Sequence, residues 1–231
     1  MALKSGSPAT TPGTSATTSG PPTRGRFITL EGPEGSGKTT AARHLVDWLG
    51  KRGLRAVLTQ EPGGTPLGDE IRRIVLHMRG MSDDLDPRAD ALLYAAGRAQ
   101  HVARVISPAL ERGDWVVCAR FADSSLAYQG SAYGNDMTEL RRLQDFATFG
   151  LRPDLTLLLD VPVEVGLARK RHGPWNRFEN THDAAFFEKV RAGYLALAAG
   201  EPQRVKLLDG SGSVEQSDRL VRDAVEPLLS A

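Results

Sequence analysis

Gly32-Pro33-Glu34-Gly35-Ser36-Gly37-Lys38-Thr39 fits the pattern G-x-x-x-x-G-K-[ST]. In such a loop, glycines let successive backbone N–H groups turn inward onto anionic oxygens. Lys38 then reaches the β- and γ-phosphates of a nucleotide, and the Thr39 hydroxyl can bind Mg²⁺. A Gly-rich turn can mimic the pattern, so the flanks decide. Arg26-Phe27-Ile28-Thr29-Leu30 reads as a buried strand, and the ten residues from Thr40 to Leu49 read as a helix. Strand, loop and helix in this order aim a positive helix N-terminus at phosphate. Gly32, Pro33, Glu34, Gly35, Ser36, Gly37, Lys38, Thr39 and Thr40 are therefore the candidates for holding ATP.

The rest of the composition narrows the class. The chain has 231 residues, 40% of them hydrophobic, enough for one well-packed domain. A net charge of +1 argues against a broad nucleic-acid surface. No apolar run is long enough to span a membrane. The single cysteine, Cys118, excludes an internal disulfide and suits a reducing compartment, so a cytoplasmic protein is expected. Cys118 lies in an apolar strand and reads as a buried thiol. The five histidines are scattered and form no metal-ligand cluster.

Residues 1–24 are dominated by Ser, Thr, Pro and Gly, and Lys4 is the only charge before Arg24. Such a segment cannot bury enough apolar surface to fold. A transit peptide would need several arginines on an amphipathic helix, which Pro8, Pro12, Pro21 and Pro22 oppose. We expect a disordered extension before one domain over 25–231.

Across that domain, strands expected at 26–31, 54–60, 115–119, 154–160 and 204–208 alternate with helices. The helices are expected at 38–51, 66–78, 88–112, 138–150, 163–172, 183–199 and 214–229. This predicts an α/β protein: a five-stranded parallel sheet with helices on both faces. Ligands of such sheets bind beyond the carboxyl ends of the strands. The segments there are unusual. Glu61-Pro62-Gly63-Gly64-Thr65-Pro66 makes a turn that leaves an acid at a strand end. In the 88–112 helix, Tyr94 and Arg98 are four apart and share a face. They suit stacking on a base and donation to its carbonyl edge. A core Tyr beside a surface Arg is the alternative account. Arg120, just after a strand, is a candidate phosphate fork or a surface ion pair. Arg169, Lys170 and Arg171 suit a helix C-terminus. Gly173-Pro174 then breaks the helix, and the loop carries Arg177. A basic flap over about 169–180 can close on ATP and stabilise transferring charge.

Taken together, these segments resemble thymidylate kinase, from Arg26 onward. The motifs are Phe27-Ile28-Thr29-Leu30-Glu31-Gly32 running into the phosphate loop, Glu61-Pro62-Gly63-Gly64-Thr65, Leu92-Leu93-Tyr94 with Arg98, Ala127-Tyr128-Gln129-Gly130, and Arg177-Phe178-Glu179. The resemblance implies a P-loop NTPase fold with a small lid, dTMP and ATP as substrates, Mg²⁺, and a homodimer without nucleic-acid or membrane partners. It also assigns roles by position. Glu34 accepts from the sugar 3′-OH, Tyr94 stacks on thymine, and Arg98 meets its O4. Arg120 grips the dTMP phosphate. Ser125 and Gln129 line the thymine pocket, and Tyr128 crowds the sugar 2′ position. Glu61 and Arg72 fall among the acceptor-binding residues. The family places a catalytic Arg in the phosphate loop or in the lid. Gly35 takes the loop position here, so the lid supplies it, as in the bacterial type, from Arg169, Arg171 or Arg177.

One departure stands out. The family has Asp-Arg where this chain has Ala119-Arg120, and that Asp helps organise Mg²⁺. Thr39 remains as a ligand, and Glu31, Asp123 and Asp160 are the acids to hold a bridging water. The expected reaction is in-line transfer of the ATP γ-phosphoryl group to a phosphate oxygen of dTMP. That oxygen has a second pKa of about 6 and is already anionic at neutral pH, so no general base is needed. Two alternatives stand beside this reading. A deoxynucleoside kinase would use Glu61 as base toward a hydroxyl. A catalytically impaired nucleotide-binding module is motivated by Ala119.

Overall fold

The computed structural model describes residues 24–77, 85–171, 178 and 182–229. The expected tail lies outside them apart from Arg24, which pairs with Asp154 at 3.2 Å. Most of the expected lid, with Arg177, also lies outside.

Five parallel strands form one sheet: β1 (Phe27–Glu31), β2 (Ala56–Gln60), β3 (Trp115–Ala119), β4 (Leu155–Asp160) and β5 (Val205–Asp209), in the order β2-β3-β1-β4-β5. β1 is central and buried along its whole length. Alternation sorts its side chains between two layers. Ile28 and Leu30 pack with Leu45 and Leu49 of α1 (Lys38–Lys51) on one face. Phe27 packs with Phe121 and Val102 on the other. That second face also receives two polar residues. Thr29 bonds Thr156 across the sheet, and the fully buried Glu31 waits at the strand's end.

The helices follow the apolar periodicity closely. α2 (Pro66–His77), α6 (Met137–Thr148), α7 (Val163–Lys170) and α8 (Ala184–Gly200) stand within a few residues of expectation, as does α9 (Val214–Val225) with its 3₁₀ extension Glu226–Leu229. The long 88–112 helix is three pieces: α3 (Pro87–His101), a π-helical segment Val102–Ile106, and α4 (Ser107–Glu111). Asp86 caps α3 by accepting from the Arg88 and Ala89 amides. Residues 120–130, read from sequence only as a segment after a strand, are helical from Ala122 onward. α5 (Ala122–Ser125) runs straight into a π-helical turn, Leu126–Ala132. That helix lies against α8 through Gly193, where an added Cβ would run into Ser131.

The carboxyl ends of β1, β2 and β3 lie in register. Leu30 pairs with Ala119, and Gln60 also pairs with Ala119. The phosphate loop, the Glu61 turn and Arg120 therefore emerge side by side, where β1 separates the two halves of the sheet.

Candidate active site

A cleft of about 280 Å³ opens at these strand ends. One wall is the phosphate loop. Gly37 caps α1 with φ 86°, and no side chain bonds the first-turn N–H groups, which leaves them directed at a ligand. Gly35 sits at φ 70°, and a Cβ there would fall on the Gly166 carbonyl. No arginine fits at that position. Gly35, Gly37, Lys38, Thr39 and Thr40 line the cleft. Gly32, Pro33 and Ser36 lie behind it, and the last two hold Lys38. Its ammonium donates to the Pro33 carbonyl at 2.7 Å and to Ser36 Oγ at 3.0 Å.

The facing wall is made of side chains. Arg120 adopts φ 69°, a left-handed conformation that a side chain rarely takes. It is held there by its own amide on Leu30 O and by its guanidinium. The guanidinium donates to Glu34 Oε1 at 2.7 Å, Gly32 O and Tyr194 OH at 3.1 Å, and Tyr128 OH at 3.3 Å. Glu31 lies beneath. It accepts from the Phe121 amide and Ser124 Oγ, both at 2.6 Å, and from Tyr194 OH at 3.1 Å.

Charge in this confined space is shifted by burial and by neighbours. Burial, and then Arg120, lowers Lys38 to about 7. Burial acts to raise Glu34, but Arg120, Lys38 and Lys170 outweigh it and hold the carboxyl at about 2. Burial and Asp123 lift Glu31 to about 7 against its hydrogen bonds. Burial opposes the charge of Arg120, yet Tyr128 and Glu34 keep its pKa well above the usual arginine value. Glu34 is thus a fixed anion beside two cations, Arg120 and Lys38.

Tyr94, Ser125, Gln129, Tyr128, Glu61 and Arg72 complete the cleft. The Gln129 amide is fixed by Asp90 at 2.9 Å, and Arg72 donates to Pro62 O at 2.8 Å. Three arginines stand elsewhere. Arg98 is buried behind Ser125, off the cleft surface. It donates to Glu61, Ser125, Gln144 and the Phe121 carbonyl. The surface position considered from sequence is therefore wrong: five N–H donors on a planar fork find four acceptors around them. Arg169 turns to the Gly210, Ser211 and Gly212 carbonyls. Arg171 is exposed beyond α7 and off the cleft wall.

Sequence reasoning missed several contributors. Lys170 lines the cleft, although its neighbours Arg169 and Arg171 drew attention as arginines. Tyr194, on the apolar α8, carries no motif. Glu31 belonged to a recognised motif, but its place beneath Arg120 depends on strand alternation. The acid at the end of β2 has a partner set of its own: Glu61 takes Arg98 Nε at 2.7 Å and His101 Nδ1 at 3.0 Å.

The acids considered for a bridging water are all engaged. Asp123 pairs with Arg204 and Asp160 with Arg191, and Glu31 is enclosed by three donors. A magnesium ion accepts a hydroxyl, water and nucleotide phosphate oxygens in place of a cage of carboxylates. Thr39, exposed in the first turn of α1 on the cleft wall, fits that donor set.

The family model described as thymidylate kinase matches residues 30–221. The chain is 50% identical over 197 residues to a thymidylate kinase of Syntrophotalea carbinolica, covering 82% of this chain and 90% of that one. It is 48% identical over 210 residues to one of Methylococcus capsulatus, covering 90% and 98%. Among solved structures, it resembles the thymidylate kinase of Ehrlichia chaffeensis with a TM-score of 0.69 and 30% identity, over 89% of this chain and 99% of the other.

Proposed function

The chain belongs to the thymidylate kinase family, and from that premise we propose how its cleft transfers the γ-phosphoryl group of ATP to dTMP, giving dTDP and ADP. The observation that carries the assignment of roles is Glu34, a partly buried carboxylate held at 2.7 Å by Arg120 and close to Lys38 on the wall of one cleft. Lys38 and the loop N–H groups take the donor phosphates. Arg120 takes the acceptor phosphate with a planar fork that matches its oxygens. Glu34 holds Arg120 in place and accepts from the sugar hydroxyl. Tyr94 stacks on the base, while Ser125 and Gln129 meet its edge. Arg98 acts through Ser125 and Glu61. Tyr128 OH lies against Glu34 at 3.2 Å and closes the space beside the sugar. Arg72 holds the Pro62 turn.

Both substrates are anions, and transfer between them needs positioning and charge stabilisation. Lys38 carries its full charge once a nucleotide's negative phosphates replace water around it. Lys170 stands at the cleft as the lid begins, and Arg171 and Arg177 belong to the segment that would close on the transferring group. Thr39 would hold Mg²⁺, which neutralises charge on the donor phosphates when bound. Glu61, buried and bonded to Arg98 and His101, is no base for a hydroxyl acceptor. This disfavours a nucleoside kinase.

We place the enzyme in the cytoplasm as a homodimer. The pairing is supported by exposed apolar side chains on two helices that pack together, Leu92 on α3 and Phe146 on α6, with Phe149 just after α6. Sedimentation of the purified protein tests it. The function itself is tested by supplying ATP with each nucleoside monophosphate in turn, and thymidine as control. We expect dTMP to be the preferred acceptor and thymidine to be inert. Turnover with thymidine alone would overturn the assignment.

A further inference from the structure

A second cavity, of about 50 Å³, lies across the 120–125 segment from the active-site cleft. The two spaces share a partition. Arg120, Ser124 and Ser125 line the cleft, whereas Phe121, Ala122 and Asp123 line the second cavity. Leu126 and Leu151 extend its apolar lining. Gln144 also lines it and is 4% exposed. Its Oε1 accepts from Arg98, which fixes the orientation of the amide. Its Nε2 has no hydrogen-bond partner among the described residues. Buried N–H groups are paired in nearly all proteins, so this one calls for an acceptor.

Charge at the mouth says which acceptor. Arg204 is occupied, with Asp123 at 2.7 Å and Glu201 at 2.8 Å. Arg141 and Arg152 are not held tightly. Their contacts to Glu201 are 3.9 and 3.8 Å, and Arg152 reaches Asp145 at 3.6 Å, with both partners of that last pair more than half exposed. Two loosely held mouth guanidiniums and one buried amide N–H thus face a space whose floor is apolar and whose rim also carries Asp123, Asp145 and Glu201, each beside an arginine. Since one water needs roughly 10–15 Å³ of such space, the cavity takes a group of a few heavy atoms.

We propose that this cavity is a binding site for a short aliphatic carboxylate, of acetate to propionate size, with an oxygen on Gln144 Nε2 and the arginines of the mouth closing over it. The site is coupled to the acceptor pocket. Gln144 Oε1 anchors Arg98, and Arg98 in turn bonds Ser125 and Glu61 of the cleft. A ligand that shifts Gln144 shifts that arginine. By reciprocity, dTMP changes the ligand's affinity by the same factor.

The test is a propionate titration of the ¹⁵N-labelled full chain, with chloride at matched ionic strength. The Gln144 side-chain amide is identified as the peak lost in Gln144→Glu. We expect it to shift saturably, together with the Phe121 and Leu151 backbone amides, with a dissociation constant on the order of millimolar. Gln144→Glu keeps an oxygen for Arg98 but replaces the donor with an acceptor, so the backbone shifts should vanish. Arg152→Ala, at the exposed mouth, should weaken them several-fold in a folded protein. No saturable shift in the wild type, or equal shifts in Gln144→Glu, overturns the site. Saturating propionate should change KM for dTMP by about fivefold or more. An unchanged KM overturns the coupling. The titration contains no ATP, so its outcome is independent of the assigned reaction.

Discussion

The loop Gly32–Thr39 grips phosphate with the backbone of consecutive residues, while the wall opposite it is assembled from distant ones. Arg120 comes from the end of β3, Glu31 from the end of β1, Tyr128 from the π-helical turn, and Tyr194 from α8, 163 residues beyond Glu31. A backbone site depends on glycine and one cation. A side-chain site depends on each partner's partner. The first should fail sharply and alone when its cation is removed, and the second should fail by degrees along its network.

Lys38→Ala should give the largest effect. We expect kcat to fall by about a thousandfold or more, as for the loss of a central charge in phosphoryl transfer. Folding should be unharmed, because Lys38 is already depressed to about 7 and its burial as a cation is costly without ligand. Activity near the wild-type level would remove Lys38 from the donor site.

Arg120→Lys comes next. It keeps the charge but loses the fork shared among Glu34, Tyr128 and Tyr194. We expect kcat/KM for dTMP to fall about a hundredfold while KM for ATP stays within a few-fold. An equal rise in both KM values would mean that Arg120 serves the donor as well. Tyr194→Phe removes one hydroxyl shared by Arg120, Ser124 and Glu31. A loss of about 1–2 kcal/mol, roughly tenfold in kcat/KM for dTMP, should follow with the ring packing kept. An unchanged value would show that Arg120 is held without Tyr194.

These ranks explain what the sequence could reveal. The phosphate loop was legible because its chemistry is contiguous and its strand and helix flanks are periodic. The five strands and most helices were legible for the same reason. The helix over 122–132 was not, since its serines and glycine favour turns when read alone. Its helicity comes from packing on α8 across Gly193. Tyr94, Arg120 and Gln129 were named through the family motifs, but their partners were not. The destination of Arg98 needed Gln144, Glu61 and Phe121 brought together from three other elements. Arg169 shows the converse. It stands in the last turn of α7, as its sequence suggests, yet carbonyls of the loop after β5 hold its side chain.

A smaller effect separates the walls by pH. Lys38 ordinarily titrates at 10.5 and in the nucleotide-free fold at about 7. Between those values the unfolded chain holds the extra proton, so this group makes the fold more stable as pH rises above 7. Lys38→Met removes the term. The melting temperature of the wild type, measured against that variant without nucleotide, should therefore gain by a few degrees between about pH 7 and pH 9. A constant difference would mean that Lys38 stays charged. Glu34, held at about 2, has the same sign in a lower window: its support is present above 4.5 and is lost as pH falls from 4.5 toward 2.

The smallest effect tests the point where the two walls meet. Ala119 ends β3 on the cleft wall, in register with Leu30 of β1. Its methyl group offers magnesium nothing, and the nearby acids are held by arginines or enclosed by donors. Ala119→Asp would add a carboxylate beside the phosphate loop without displacing any of the hydrogen-bond partners of Arg120 or Lys38 described above. Because Thr39 and the nucleotide already supply oxygens, the gain should be modest. We expect a few-fold lower magnesium concentration for half-maximal rate, with kcat changed less than that. A large rise in kcat would instead mean that Ala119 limits the chemistry, and that the acceptor wall has reached into the donor's ion.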